Sequence, residues 1–93
     1  MKLKSGHIKK RDILTIAGTY QVGNNHQPVV AKRNEKKLLD TMLFNEWHPT
    51  RTLALQRAHY INANHVMHDR ILPTHTIGAT GTLKQLQERG YEL

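Results

Sequence analysis

The sequence contains no cysteine, which removes disulfides and thiolate metal centres and leaves the fold to packing and hydrogen bonding alone. Aromatic residues make up only 5%, with Trp47 the only tryptophan. No apolar run approaches the roughly 18 residues that a membrane span needs, and Met1-Lys2-Leu3-Lys4-Ser5 is not followed by the hydrophobic stretch of a signal peptide. The expectation is a cytoplasmic protein with no membrane contact. Also missing are a Gly-rich phosphate loop, a Gly-x-Ser-x-Gly elbow and paired carboxylates. His68 with the adjacent Asp69, or His48 with Glu46 two positions before it, is the nearest approach to an acid and a base. The chain is therefore expected to have no catalytic residues, no enzyme activity and no cofactor.

Acidic residues are scarce as well: seven Asp and Glu stand against 14 Lys and Arg, a formal charge of +7. The excess is unevenly placed. Up to residue 37 there are Lys2, Lys4, Lys9, Lys10, Arg11, Lys32, Arg33, Lys36 and Lys37 against Asp12 and Glu35. From residue 38 onward, Arg51, Arg57, Arg70, Lys84 and Arg89 balance Asp40, Glu46, Asp69, Glu88 and Glu92. Cations gathered at one end of a chain favour a polyanion, because each phosphate they neutralise releases condensed counterions.

Ninety-three residues suffice for one domain with a modest core. Residues 1–11, polar and Lys-rich, read as a flexible basic arm, and residues 12–93 as the single domain. Within it, Ile13, Leu14, Ile16, Tyr20 and Val22 favour a strand, and Gly23-Asn24-Asn25 a turn before Pro28-Val29-Val30. This predicts a β-hairpin of roughly 13–22 with 28–32, although Ile13-Leu14-x-Ile16-Ala17 also suits a short helix. Asn34 is a good N-cap for a helix through Asn45, on which Leu38, Leu39, Met42 and Leu43 form an apolar stripe. Pro49 ends that helix and Thr50 caps the next, with Leu53, Ala54, Ala58 and Ile61 at compatible spacing. Asn62-Ala63-Asn64 reads as an interruption, with Val66, Met67 and Ile71 in a further short helix. Trp47 is expected to sit as a buried ring beneath the helix junction.

In the last eighteen residues, Ala79, Leu83 and Leu86 share one helical face, with Thr76 as the cap and Gly90 as the stop. Tyr91-Glu92-Leu93 alternates as a short strand does, one that could pair with the earlier hairpin. The run Thr76-Ile77-x5-Leu83-x2-Leu86-x3-Gly90-Tyr91-x-Leu93 resembles the end of the small winged helix-turn-helix proteins of phages and mobile elements. That resemblance implies an α+β, mainly helical domain of three to four helices with a short β-hairpin, and places residues 77–89 in the DNA major groove. The implied function is sequence-specific binding of double-stranded DNA by a transcriptional regulator or recombination accessory factor, with a homodimer if the target is palindromic. The candidate DNA-binding residues are Lys9, Lys10, Arg11, Lys32, Arg33, Lys36, Lys37, Thr76, Thr80, Thr82, Lys84, Gln85 and Arg89. The alternative is a phage-type protein that binds and inhibits or redirects a host protein, favoured by the neutral charge of residues 38–93.

Seven histidines raise the question of a metal. His65-x2-His68 with Asp69 and His59 is the only spacing that invites one, and it is far less specific than His-Glu-x-x-His. No metal site is expected.

Overall fold

The computed structural model describes residues 15–68 and 73–93, with side chains from residue 65 to 68 excluded. Five strands, β1 (Thr15–Val22), β2 (Asn25–Arg33), β3 (Leu39–Phe44), β4 (His75–Gly81) and β5 (Tyr91–Glu92), form one antiparallel sheet in the order β4-β3-β2-β1-β5. Two helices complete the described residues: α1 (Arg51–His68) between β3 and β4, and α2 (Leu83–Glu88) between β4 and β5. The expectation of a mainly helical winged helix-turn-helix domain is thus overturned. The protein is a small antiparallel sheet with one long and one very short helix.

The first hairpin forms as its residues suggest. Gly23, at φ +62°, takes the first central position of a two-residue turn, a conformation that glycine adopts without steric cost, and Val22 pairs with Asn25. Pairing runs back to Thr15 opposite Lys32; residues 13 and 14 of the expected hairpin lie outside the described residues, as does the expected arm. At the other end of the chain, Tyr91 and Glu92 pair with Tyr20 and Thr19.

Two expected helices are strands. In the segment 34–45, the apolar residues fit both periods. Leu39, Thr41 and Leu43 alternate with Met42 and Phe44 across β3, and partners lie on both faces of the sheet to cover them. Tertiary burial therefore overrides the helical stripe. Thr76 begins no helix either. His75–Gly81 is strand β4, consistent with β-branched Thr76, Ile77 and Thr80 and with two glycines that weaken a helix by about 1 kcal/mol each. The helix starts later, at a Thr82-x-x-Gln85 capping box. Thr82 Oγ1 accepts from Gln85 N (3.1 Å) and Gln85 Oε1 accepts from Thr82 N (3.0 Å). Gly90, at φ +101°, ends it.

By contrast, α1 begins where Thr50 caps it, with Thr50 Oγ1 accepting from Leu53 N (3.2 Å). It runs through Asn62-Ala63-Asn64 without the expected break. Ala54, Ala58 and Ile61, at i, i+4, i+7, are buried against β1 and β2, and the two alanines let the helix lie close. No helix among the described residues is long and apolar enough to cross a membrane.

The sheet is strongly curled. In a flat sheet, β4 and β5 would stand four strand spacings apart, roughly 19 Å. Instead, the Tyr91 hydroxyl on β5 accepts a hydrogen bond from Ala79 N on β4 at 3.2 Å. Inside the curl lie Val29, Ala31, Leu39, Tyr91 and the fully buried Leu86 of α2; Val30, Phe44 and Ile61 form a second cluster on the outer, α1-covered face. A bulge on β4 lies where the two edges of the curl meet. Asp40 pairs with Thr80 and Met42 with Ile77, so Gly78 and Ala79 together oppose Thr41. The extra backbone groups are satisfied by side chains, since Thr41 Oγ1 donates to Ala79 O (2.7 Å) while Tyr91 holds Ala79 N. A β-carbon on Gly78 would collide with Thr41 Oγ1 and the Tyr91 hydroxyl.

Candidate nucleic-acid interface

The end of the sheet formed by the β2–β3 connection carries the densest group of cations among the described residues. Residues 34–38 form a loop organised by Asn34, whose Oδ1 accepts from Lys36 N (2.9 Å) and Leu38 N (3.1 Å). Asn34 O accepts from Lys37 N (3.0 Å), and Asn34 Nδ2 donates to Asp40 Oδ1 (3.1 Å). The expected N-cap role of Asn34 is overturned: its side chain accepts from the second and fourth residues after it, which closes a turn and sends the chain back as a strand.

Lys32 and Arg33 at the end of β2 and Lys36 and Lys37 in the loop lie within six positions of one another. Lys32, Lys36 and Lys37 are exposed and Arg33 is half-buried. None of the four makes an ion pair with any described residue. Two other described arginines are engaged: Arg51 with Glu92, and Arg57 with Glu46 (2.9 Å). Lys37 has φ +63°, the left-handed region, which costs a residue with a β-carbon about 1–2 kcal/mol.

Of the other expected contact residues, Thr80 is at this end of the sheet. It is paired with Asp40 and its hydroxyl donates to Asp40 Oδ1 (2.8 Å). Thr82 and Gln85 follow it but are occupied with each other in the capping box. Lys84 is exposed in the first turn of α2, whereas Arg89 closes the far end of that helix. Thr76 is also remote, opposite Leu43 at the start of β4. The expected recognition helix 77–89 does not exist as one rod, since its first five residues are strand and its helical part has six residues. Lys9, Lys10 and Arg11 lie outside the described residues. Thr15, however, is opposite Lys32, so the described chain begins at the same end as the cationic loop.

Sequence reasoning missed the surface beside this loop. On the outer face, Lys32, Asp40, Met42, Ile77 and Thr80 are neighbours across β2, β3 and β4. Ile77 is 74% exposed. A cleft of about 410 Å³ lies here, lined by Lys32, Arg33, Asn34, Asp40, Met42 and Ile77, among others.

Comparison with protein-family models, curated proteins and solved structures yields no match. The functional reading therefore rests on the surface itself.

A second polar group sits away from this end. Glu46 accepts from Arg57 Nε at 2.9 and 3.0 Å and contacts His48 Nε2 at 3.2 Å. The Arg57 hydrogen bond holds the Glu46 carboxyl below its ordinary value of 4.5 against the opposing effect of burial, and the same bond raises the Arg57 guanidinium. An arginine committed to the carboxylate makes this a structural clamp between α1 and the loop after β3. Trp47, between these residues, is 55% exposed rather than buried as expected. Among the described residues no group of three His, Cys, Asp or Glu side chains could hold a metal; His65, His68 and Asp69 have side chains outside the described set.

Proposed function

We propose that this protein binds nucleic acid through the backbone phosphates, gripping them with Lys32, Arg33, Lys36 and Lys37. The observation that carries this reading is the loop itself. Four cations without ion-pair partners among the described residues lie at the end of β2 and in the loop that follows it, and one of them occupies a backbone conformation in which glycine would be cheaper. Strain retained at an exposed charged residue points to use of the side chain. Lys9, Lys10 and Arg11 precede the sheet's first described residue by four to six positions in the sequence.

The reading differs from the one the sequence suggested in how a target is engaged. Because residues 77–89 are not one helix, affinity comes from phosphate contacts made at the end of β2 and in the loop after it, and those contacts carry no base specificity of their own. Binding should fall steeply with salt, by a slope of about 0.7–0.9 in log K per phosphate contact. The test is titration of the full chain with a labelled duplex and with single strands at two salt concentrations. The wild type should bind with a steep slope, and joint replacement of Lys32, Lys36 and Lys37 by glutamine should flatten it by about two to three units. Truncation of residues 1–11 should flatten it further. An unchanged slope in the triple variant overturns the proposal.

One observation favours a protein partner instead. Leu53 and Tyr60, 45% and 60% exposed, share a face of α1, with the Arg57 guanidinium 5.4 Å from the Tyr60 ring centre. Apolar side chains exposed in this way suit an interface. No binding of any nucleic acid at low salt would move the weight to this surface.

A further inference from the structure

The outer-face cleft beside the cationic loop has a composition that phosphate binding alone does not need. We infer that it receives an unstacked base of single-stranded nucleic acid, an inference that rests on the backbone reading above. Met42 and Ile77 are direct cross-strand partners and form an apolar floor, with the Ile77 side chain largely uncovered. Lys32 and Arg33 line the cleft on one side, where the phosphate of the same nucleotide would lie. Asp40 lines it as well. Its Oδ1 accepts from Asn34 Nδ2 and Thr80 Oγ1, which fixes the carboxylate, and its Oδ2 has no hydrogen-bond partner among the described residues. The volume of about 410 Å³ lies within the range of small-ligand pockets, roughly 300–1,000 Å³.

These groups select both the form of the nucleic acid and the base. In a duplex the base faces are stacked and inaccessible to a flat apolar floor, whereas a single strand can lay one down. A fixed carboxylate oxygen accepts from an exocyclic amine, as of cytosine N4, and repels the O4 carbonyl that thymine presents at the same edge. The cleft should therefore prefer single strands to duplex, and cytosine to thymine.

The test uses the full chain with three probes of twelve nucleotides or base pairs at pH 7.5: oligo(dC), oligo(dT) and a mixed-sequence duplex. Oligo(dC) should bind tightest. Ile77→Ala, at an exposed position where folding is insensitive, should weaken both single strands by about fivefold through lost apolar contact while leaving the salt slope unchanged. Asp40→Asn, whose amide oxygen keeps the bonds from Asn34 and Thr80 and whose NH2 group takes the free position, should abolish the preference for oligo(dC) over oligo(dT) or turn it toward oligo(dT); an unchanged preference removes Asp40 from base selection. Circular dichroism of each variant establishes that the sheet is intact. Duplex binding as tight as that of the single strands, or Ile77→Ala without effect, overturns the base cleft while a steep salt slope still upholds phosphate binding. Absence of binding to all three probes overturns both.

Discussion

Lys37 offers a perturbation in which stability and binding should move in opposite directions. At φ +63° its β-carbon crowds the following carbonyl, a cost of about 1–2 kcal/mol. Lys37→Gly removes that cost but gives the unfolded chain extra freedom worth about 0.4–1 kcal/mol. At the middle of these ranges the net gain is about 0.8 kcal/mol, which for a domain of this size raises Tm by about 3–6 °C. The same substitution deletes one phosphate contact, lowering the salt slope by about 0.7–0.9. Lys37→Gln separates the two effects, because it keeps the backbone cost and loses only the charge. Its Tm should match the wild type, and its slope should match that of Lys37→Gly. The assays are thermal melts followed by circular dichroism, since Trp47 is too exposed to report on the core, and binding isotherms at four salt concentrations. A fall in Tm for Lys37→Gly would refute the assignment of strain to this residue. A slope that changes in neither variant would remove Lys37 from the interface.

Tyr91→Phe should destabilise by about 1–2 kcal/mol, because it strands the half-buried Ala79 N–H and keeps the ring. Thr41→Val should cost a similar amount by stranding Ala79 O, and a double variant should depart from additivity, since both side chains serve one residue; strict additivity in denaturant melts would speak against a shared bulge. Leu86→Ala, in the fully buried side chain of α2, should cost about 2–5 kcal/mol, and a loss under 1 kcal/mol would mean that α2 does not close the curl. Glu46 has a folded pKa below its unfolded one, so it contributes stability above pH 4.5 that disappears as pH falls through the lowered value. Glu46→Gln should flatten that acid limb of the stability curve; an acid limb identical to the wild type would rule out the clamp.

The parts of this fold that were legible in the sequence are those fixed locally. Gly23 marks the first turn, Thr50 starts α1 and Gly90 stops α2, each through backbone chemistry contained within a few residues. The capping box at Thr82 was equally legible and was overlooked in favour of Thr76. What local chemistry does not determine is partnership across the sheet. Leu38, Leu39, Met42 and Leu43 carry a helical stripe that only the presence of β2 and β4 on either side converts into strand pairing. Gly78 reads as a helix defect until Thr41 and Tyr91, 37 and 13 positions away, are seen to press on it. The same holds for the proposed interface. Lys32, Arg33, Lys36 and Lys37 stand out in the sequence by charge, whereas the cleft depends on Asp40 and Ile77 meeting across β3 and β4.

The bulge on β4 also bears on how this protein avoids its own copies. β4 is an outer strand of the sheet, and a regular outer strand presents an unbroken row of amide groups on which another chain can template itself. Here that row is interrupted at Ala79, whose donor and acceptor are both turned inward to side chains of the same molecule. An incoming strand would find its ladder broken two residues beyond Ile77. The irregularity thus breaks the outer edge of the sheet beside an uncovered isoleucine, where an unbroken edge would invite pairing with another chain.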